Sequence, residues 1–246
     1  MIKAEKIDVW GFEHAVRGMR NPMNSWAQSD SCFNCGIQIG PKDLDLMKRL
    51  CKAGSEHRKF MRQIFVSMDL TLPLYTWKEF DTYKINTTSN SCSTMHKIHV
   101  SDIVIGDDIS NEHLIGDVVT FESKNPDELF DEIKKMCNED NKEMFSANGA
   151  MSFVVWWINY YRDCYMKAKD NDGTYDGHSM KDYWWQMIQL LPSSYNQKRT
   201  VSFNYENALN MIRQRTGHKQ DEWNIFVDEI KNTLPYLNEI VEWSKE

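Results

Sequence analysis

No stretch of this sequence is apolar for long enough to cross a bilayer. The most apolar run, Met151 to Tyr161, is broken by Asn159 and leads into Arg162 and Asp163. The N-terminus, MIKAEKIDVW, lacks a signal-peptide core, so the chain reads as cytosolic with no membrane partner. Positive charge is in deficit: 29 basic side chains face 36 acidic ones, a net charge of −7. Such a balance argues against nonspecific nucleic-acid binding, which needs clustered Lys and Arg. It leaves room for a small anionic ligand in a local basic pocket. Internal repeats and low-complexity tracts are missing. So is a complete zinc motif: Cys32 and Cys35 form one CxxC, but no second pair closes a tetrahedral site, and no metal is expected.

What remains is an ordinary globular composition, 41% hydrophobic and 26% charged over 246 residues. That length can bury a sizeable core. With 14 Met and 9 Trp the core should be bulky. Trp156/Trp157 and Trp184/Trp185 suit core or subunit contact better than a cofactor box.

The residues up to about Gly40 look loop-rich, with a short helix around Glu13 to Arg20. Leu44 to Ala53 reads as a helix with Leu46, Met47 and Leu50 on one stripe and Gly54 as its stop. Ile64, Val66, Met68, Leu70, Leu72 and Leu74 alternate with mostly polar or small residues, which predicts a strand with one buried face. A short helix over Thr76 to Tyr83 follows. Further helices are expected within Ser110 to Glu139, where Pro126 sits at a first helical position, and over Ser152 to Lys169, Met180 to Leu190, Tyr205 to Arg215 and Asp221 to Asn232. Strands near the middle and helices at the end suggest an α+β single domain over residues 1–246.

Two segments carry chemistry. The stretch Asn86 to Thr94 has Ser, Thr or Asn at every position except Cys92. Hydroxyls, amides and backbone N–H groups packed so closely can cradle a phosphate. On composition the stretch reads more readily as a solvated surface loop, and it holds no glycine and hence no Walker or Rossmann fingerprint. The second segment is the helix from Asn204 to Arg215. Asn204 can cap it. Leu209 and Ile212 can face the core. Arg213 and Arg215 can simply complement the negative end of the helix dipole. At about 100° per residue, Asn204 and Arg215 lie about 20° apart on the wheel and Asn210 about 140° from Arg215. If all three are functional, the helix serves two faces, as it would in an active site built between subunits.

Leu191-Pro192, Asn204, Asn210 and Arg215 fall at the spacing found in the flavin-dependent thymidylate synthases, which the chain resembles. Downstream, His218-Lys-Gln220-Asp-Glu222 is similar to the family's His-Ala-Gln-x-Glu. Gly54-Ser-Glu56, Phe60, the alternating strand, Pro73, the Trp77 helix and the polar stretch follow the family's order of elements. The family's Arg-His-Arg is here Thr82-Tyr83-Lys84 or Tyr83-Lys84-Ile85, and one cation, Lys84, remains. The family's Arg before the Leu-Pro is Ile188, and Lys198 and Arg199 are the cations that could compensate.

The resemblance implies a single α+β domain of mixed helices with an antiparallel sheet. It implies methylation of dUMP at C5 to dTMP, with methylenetetrahydrofolate and NADPH as co-substrates and FAD as cofactor. It also implies a homotetramer with active sites between subunits. By the same transfer, Arg215 stabilises the pyrimidine and is the catalytic residue. Lys84, Asn90, Asn204 and Asn210 contact the flavin. Ser91, Cys92, Ser93 and Thr94 hold the dUMP phosphate, with Glu79 nearby. The changed residues motivate two alternatives: a different C5 modification such as hydroxymethylation, and a flavin-free nucleotide-binding or interaction protein.

Overall fold

The computed structural model describes residues 2–138 and 143–243. Glu139, the last residue of the expected 110–139 stretch, lies outside them. In chain order the elements are β1 (Lys3–Trp10), α1 (Phe12–Arg20), α2 (Pro41–Lys52), β2 (Phe65–Pro73), α3 (Leu74–Phe80), β3 (Thr88–Ser91), α4 (Thr94–Lys97), α5 (Pro126–Asn138) and α6 (Ala147–Asp170). They continue with β4 (Thr174–Tyr175), β5 (His178–Ser179), α7 (Met180–Leu190), β6 (Asn196–Asn204), α8 (Tyr205–Arg215), α9 (Asp221–Thr233) and α10 (Leu237–Trp243). The residues cluster in two compact units, one of Ile2–Leu72, Thr76–Ser91 and Lys198–Glu246, the other of Pro73–Tyr75 and Cys92–Gln197.

The first unit holds a sheet of order β1-β2-β6-β3. β2 is the strand that alternation predicts: Val66, Met68, Leu70 and Leu72 are all buried. Leu74, the last of the alternating set, has already turned into α3. Thr200 Oγ1 donates to Asp69 at 2.7 Å and Ser202 meets Ser67, so β6 runs antiparallel to β2. β1 is antiparallel to β2 and β3 to β6.

The sequence reading misses three strands of this sheet, the edge strands β1 and β3 and the inner strand β6, whose buried apolar residues are Val201 and Phe203 alone. β1 was expected to be loop-rich, but Lys3 to Trp10 pairs with Thr71 back to Phe65. Its charged residues hide the period-2 signal, and charge is what keeps an exposed edge from pairing with other chains. The stretch read as a polar loop is a strand over Thr88–Ser91 followed by α4. All four β3 residues are exposed, so no apolar alternation announces it.

Helices pack on this sheet by their apolar stripes. On α1 the buried apolar positions are Phe12, Ala15, Val16 and Met19, the i, i+3, i+4, i+7 pattern of one face, and Arg20 is buried beside them. Gly11 starts the helix at φ 93°, where a Cβ would stand 2.0 Å from the Gln63 carbonyl oxygen. On α2 the buried stripe is Asp43, Met47 and Cys51, not Leu46, Met47 and Leu50. The rotation follows from Asp43, whose carboxylate is fully buried. It accepts Arg20 Nε at 2.6 Å, the hydroxyls of Ser29 and Ser31 at 2.7 Å, and the backbone N–H groups of Asp30 and Ser31 at 3.1 Å. Gly40 allows the 29–31 loop to lie this close, since a Cβ there would sit 2.4 Å from the Asp30 carbonyl oxygen.

In the second unit, α6 and α7 form a helical pair joined by the β4–β5 hairpin. Ile98, Ile103, Ile109, Val155, Ile158 and Met187 make its core. Polar side chains on α6 pin the irregular segment between α4 and α5. Asn148 Nδ2 donates to the Leu114 and Gly116 carbonyls, and Ser152 Oγ accepts from Val119 N–H. Asn159 binds both backbone groups of Ile103. A long loop is viable only when its buried backbone groups are satisfied in this way. Among the described residues, no helix is long and apolar enough to cross a membrane.

Candidate active site

Arg215 ends α8, and its guanidinium is held on several sides within the first unit. Nη1 donates to Glu79 Oε2 at 2.6 Å and lies 3.0 Å from His218 Nε2; Nε donates to the Tyr83 hydroxyl at 3.0 Å. The Trp223 ring packs beneath it, 4.5 Å from Cζ. Trp223 in turn donates its indole N–H to the same Glu79 oxygen at 2.8 Å. Nη2 carries no hydrogen bond among the described residues. The result is a cation fixed in position and orientation, with one donor edge free for a ligand.

Each contributor is placed by a local feature. Glu79 sits in the last turn of α3, and Tyr83 follows in the turn after it. Phe80, between them, stacks on Trp223 at 6.0 Å and 4°. His218 is brought back by a turn through Gly217, which takes φ 72°. Asn224 locks that turn, accepting from Gly217 N–H at 2.9 Å and donating to the His218 carbonyl at 2.8 Å. Tyr83, His218 and Trp223 were not expected to support Arg215. Their link to it is a tertiary contact between separate elements, and no spacing rule connects Tyr83 with Trp223.

The other expected residues divide. Asn204 is buried and caps α8, its Oδ1 accepting from Asn207 N–H at 3.0 Å. Asn204→Ala should lower stability by about 1 kcal/mol, read as a lower urea midpoint, while Asn204→Asp should retain the cap. Although close on the wheel, Asn204 and Arg215 lie eleven residues apart, roughly 16 Å along the axis at 1.5 Å per residue. Asn210 is half-buried on another face. Lys84 is exposed, and Asn90 is exposed on β3 opposite Thr200. Ser91 ends β3.

Cys92, Ser93 and Thr94 belong to the second unit. There Ser93 Oγ caps α4, accepting from His96 N–H at 3.3 Å. Gln197 Nε2 donates to the Cys92 carbonyl at 3.3 Å and to Thr94 Oγ1 at 3.1 Å. Part of this stretch's polar capacity therefore serves the fold. Lys198 is bridged to Glu5 and Asp69, and Arg199 to Asp81 while stacking over Trp77 at 4.2 Å.

At the start of α8, Glu206 receives both Arg58 and Arg62. Burial pushes its carboxyl up, but the hydrogen bonds and charges of Arg62 and Arg58 outweigh this and hold it below the usual glutamate range. A depressed folded value means the stabilisation is present above the unfolded value near 4.3 and is lost as pH falls through the folded one. Glu206→Gln should therefore flatten the acid limb of a plot of urea midpoint against pH. An acid limb as steep as the parent's would remove Glu206 as its source.

No protein-family model matches the chain, and no curated protein matches it. Solved structures do. Thymidylate synthase X from Helicobacter pylori, solved with FAD and dUMP, aligns over 100% of both chains at TM-score 0.59 and 13% identity. The flavin-dependent enzyme of the same organism, in a second complex with FAD and dUMP, aligns over 97% of both at 0.59 and 15%. The chain has the flavin-dependent thymidylate synthase fold. A UMP/dUMP methylase, PolB from Streptomyces cacaoi, bound with 5-Br dUMP, aligns over 99% of this chain and 94% of its own at 0.54 and 12%. The mixed helices and antiparallel sheet are thus those of the thymidylate synthase X fold over the full length.

Proposed function

We propose that the protein is an enzyme that modifies C5 of a pyrimidine nucleotide. In its specific form, the reading is methylation of dUMP to dTMP with methylenetetrahydrofolate and NADPH, through FAD. The observation that carries it is the fixed guanidinium of Arg215 with its open Nη2 edge, on a fold whose solved members hold FAD with dUMP, or 5-Br dUMP. A cation already held in place stabilises negative charge developing on the pyrimidine without reorganising during the reaction. Glu79, Tyr83 and Trp223 orient it; the fork and flat face of Arg are needed to meet all of them at once. Glu79 thus acts as the counter-ion of Arg215 beside the nucleotide. Active sites between subunits of a homotetramer form part of this reading.

The donor set suits a flavin in kind. Asn90 and Asn210 offer amides that can donate to and accept from the polar edge of the ring. Lys84, exposed, offers a cation to a phosphate. Bound flavin would supply the hydride chemistry. A second reading rests on Lys84 being the one cation of the Thr82–Ile85 stretch: a flavin-free nucleotide-binding protein, or an enzyme adding a hydroxymethyl group. Purification separates them. Bound flavin in the visible spectrum, and dTMP formed from dUMP, methylenetetrahydrofolate and NADPH, is the expected result. A colourless protein that ignores added FAD sinks both flavin-dependent forms. 5-Hydroxymethyl product in place of dTMP selects the alternative chemistry.

A further inference from the structure

A cavity in the first unit, of about 450 Å³, lies between the end of α1 and one face of α2. None of its lining residues belongs to the Arg215 cluster. Its volume falls in the range of about 300–1,000 Å³ typical of small-molecule sites. Three cations line it, Arg20, Lys42 and Arg49, against one carboxylate, Asp45.

Arg20 is the unusual member. It is 4% exposed, and an arginine is rarely so buried without several partners. Its Nε is committed to Asp43, and its Nη1 reaches the Ser25 carbonyl only at 3.4 Å. Its Nη2 has no hydrogen bond among the described residues, although the side chain lines the cavity. Asp43, with its five donors, fixes the guanidinium rigidly. The charges then balance unevenly. Arg20 is offset by Asp43, and Arg49 by Asp45 at 2.8 Å. Lys42 has no ion pair among the described residues, so of the three lining cations it is the one without a carboxylate partner, although the Asp30 carboxylate stands beside its backbone N–H. The first turn of α2 is not the attraction, because Asp30 already accepts the N–H groups of Lys42 and Asp43.

We propose that this cavity binds a small organic phosphate. Arg20 Nη2 and Lys42 Nζ take the phosphate oxygens, and Leu46 offers an apolar wall to the carbon skeleton. Charge-assisted bonds from a guanidinium and an ammonium are the usual means of holding a phosphate. The net acidity of the chain does not oppose this, since three cations and one carboxylate make up the charged side chains of the cavity wall.

Altering Arg20 would strand Asp43 in the interior, so the test uses Lys42, which is exposed. Isothermal titration calorimetry of the full-length protein with ribose 5-phosphate, and with ribose as the phosphate-free comparator, should show saturable binding of the first alone. Lys42→Glu should weaken it roughly tenfold or more, with the circular dichroism spectrum unchanged. Lys42 lies outside the Arg215 cluster and the Ser91–Thr94 stretch, so loss of binding on Lys42→Glu separates this site from the proposed nucleotide site. The proposal is overturned if the parent shows no saturable binding or if Lys42→Glu binds with parent affinity.

Discussion

Arg215→Ala is expected to abolish turnover while leaving the fold intact. Removing a pre-oriented donor at developing negative charge typically lowers kcat by about 10²–10³, and here the lost group is a full charge. The structural cost should be smaller. Glu79 keeps the Trp223 indole N–H as a donor, and about a third of its side chain is exposed, so water can replace the guanidinium. Arg215→Lys should recover little, because one ammonium cannot bond Glu79 and Tyr83, lie flat on Trp223 and present a free edge together. The measurements are steady-state kinetics alongside circular dichroism and a urea midpoint. Parent-like rates in the alanine variant would rule out the assigned role. A collapsed midpoint would mean that Arg215 holds the fold instead.

Asp43→Asn should be strongly destabilising, by about 3–5 kcal/mol. The carboxylate is fully buried and Arg20 almost so, and removing one partner leaves the other charge uncompensated in the interior. Burial pushes the Asp43 carboxyl up, but the donors Ser29, Ser31, Arg20 and Asp30 together hold it below the usual aspartate range. The same group therefore contributes stability at neutral pH that is lost on acidification through its depressed value. A urea denaturation series from pH 7 to acid should show both effects: a large loss for the variant at pH 7, and parent and variant converging toward low pH. A midpoint change within error at pH 7 would remove the buried pair as a stabilising element.

How much was legible in the sequence follows from what each element shows on its surface. β2 was legible because both its neighbours and one face are occupied, so its apolar residues must alternate without a break. α1, α6, α7, α8 and α9 were legible for the corresponding reason at helical period. β1 and β3 were not, because an edge strand next to solvent has no reason to alternate, and neither was β6, an inner strand whose run Asn196 to Thr200 is polar and leaves only Val201 and Phe203 to alternate. α2 was found, but its buried face was misplaced by one position, because a carboxylate at Asp43 does not look like a core residue until its five donors are seen. The irregular segment between α4 and α5 was unreadable for a different reason. Its partners are single polar side chains on α6, and such contacts leave no period.

The Asn204 to Arg215 segment shows the same division. Its cap, its apolar stripe and its terminal cations follow from local rules, and its spacing from Pro192 carries the likeness to a family. The sequence by itself also determined the net acidity and the β2 strand, since composition and period-2 burial are properties of the chain alone. Only the tertiary structure decided that Arg215 is clamped by Glu79, Tyr83 and Trp223, and that Arg20 is buried against Asp43 at the wall of a cavity. Hydrogen bonds and ion pairs between elements far apart in the chain depend on where the fold brings them, and no local pattern encodes that.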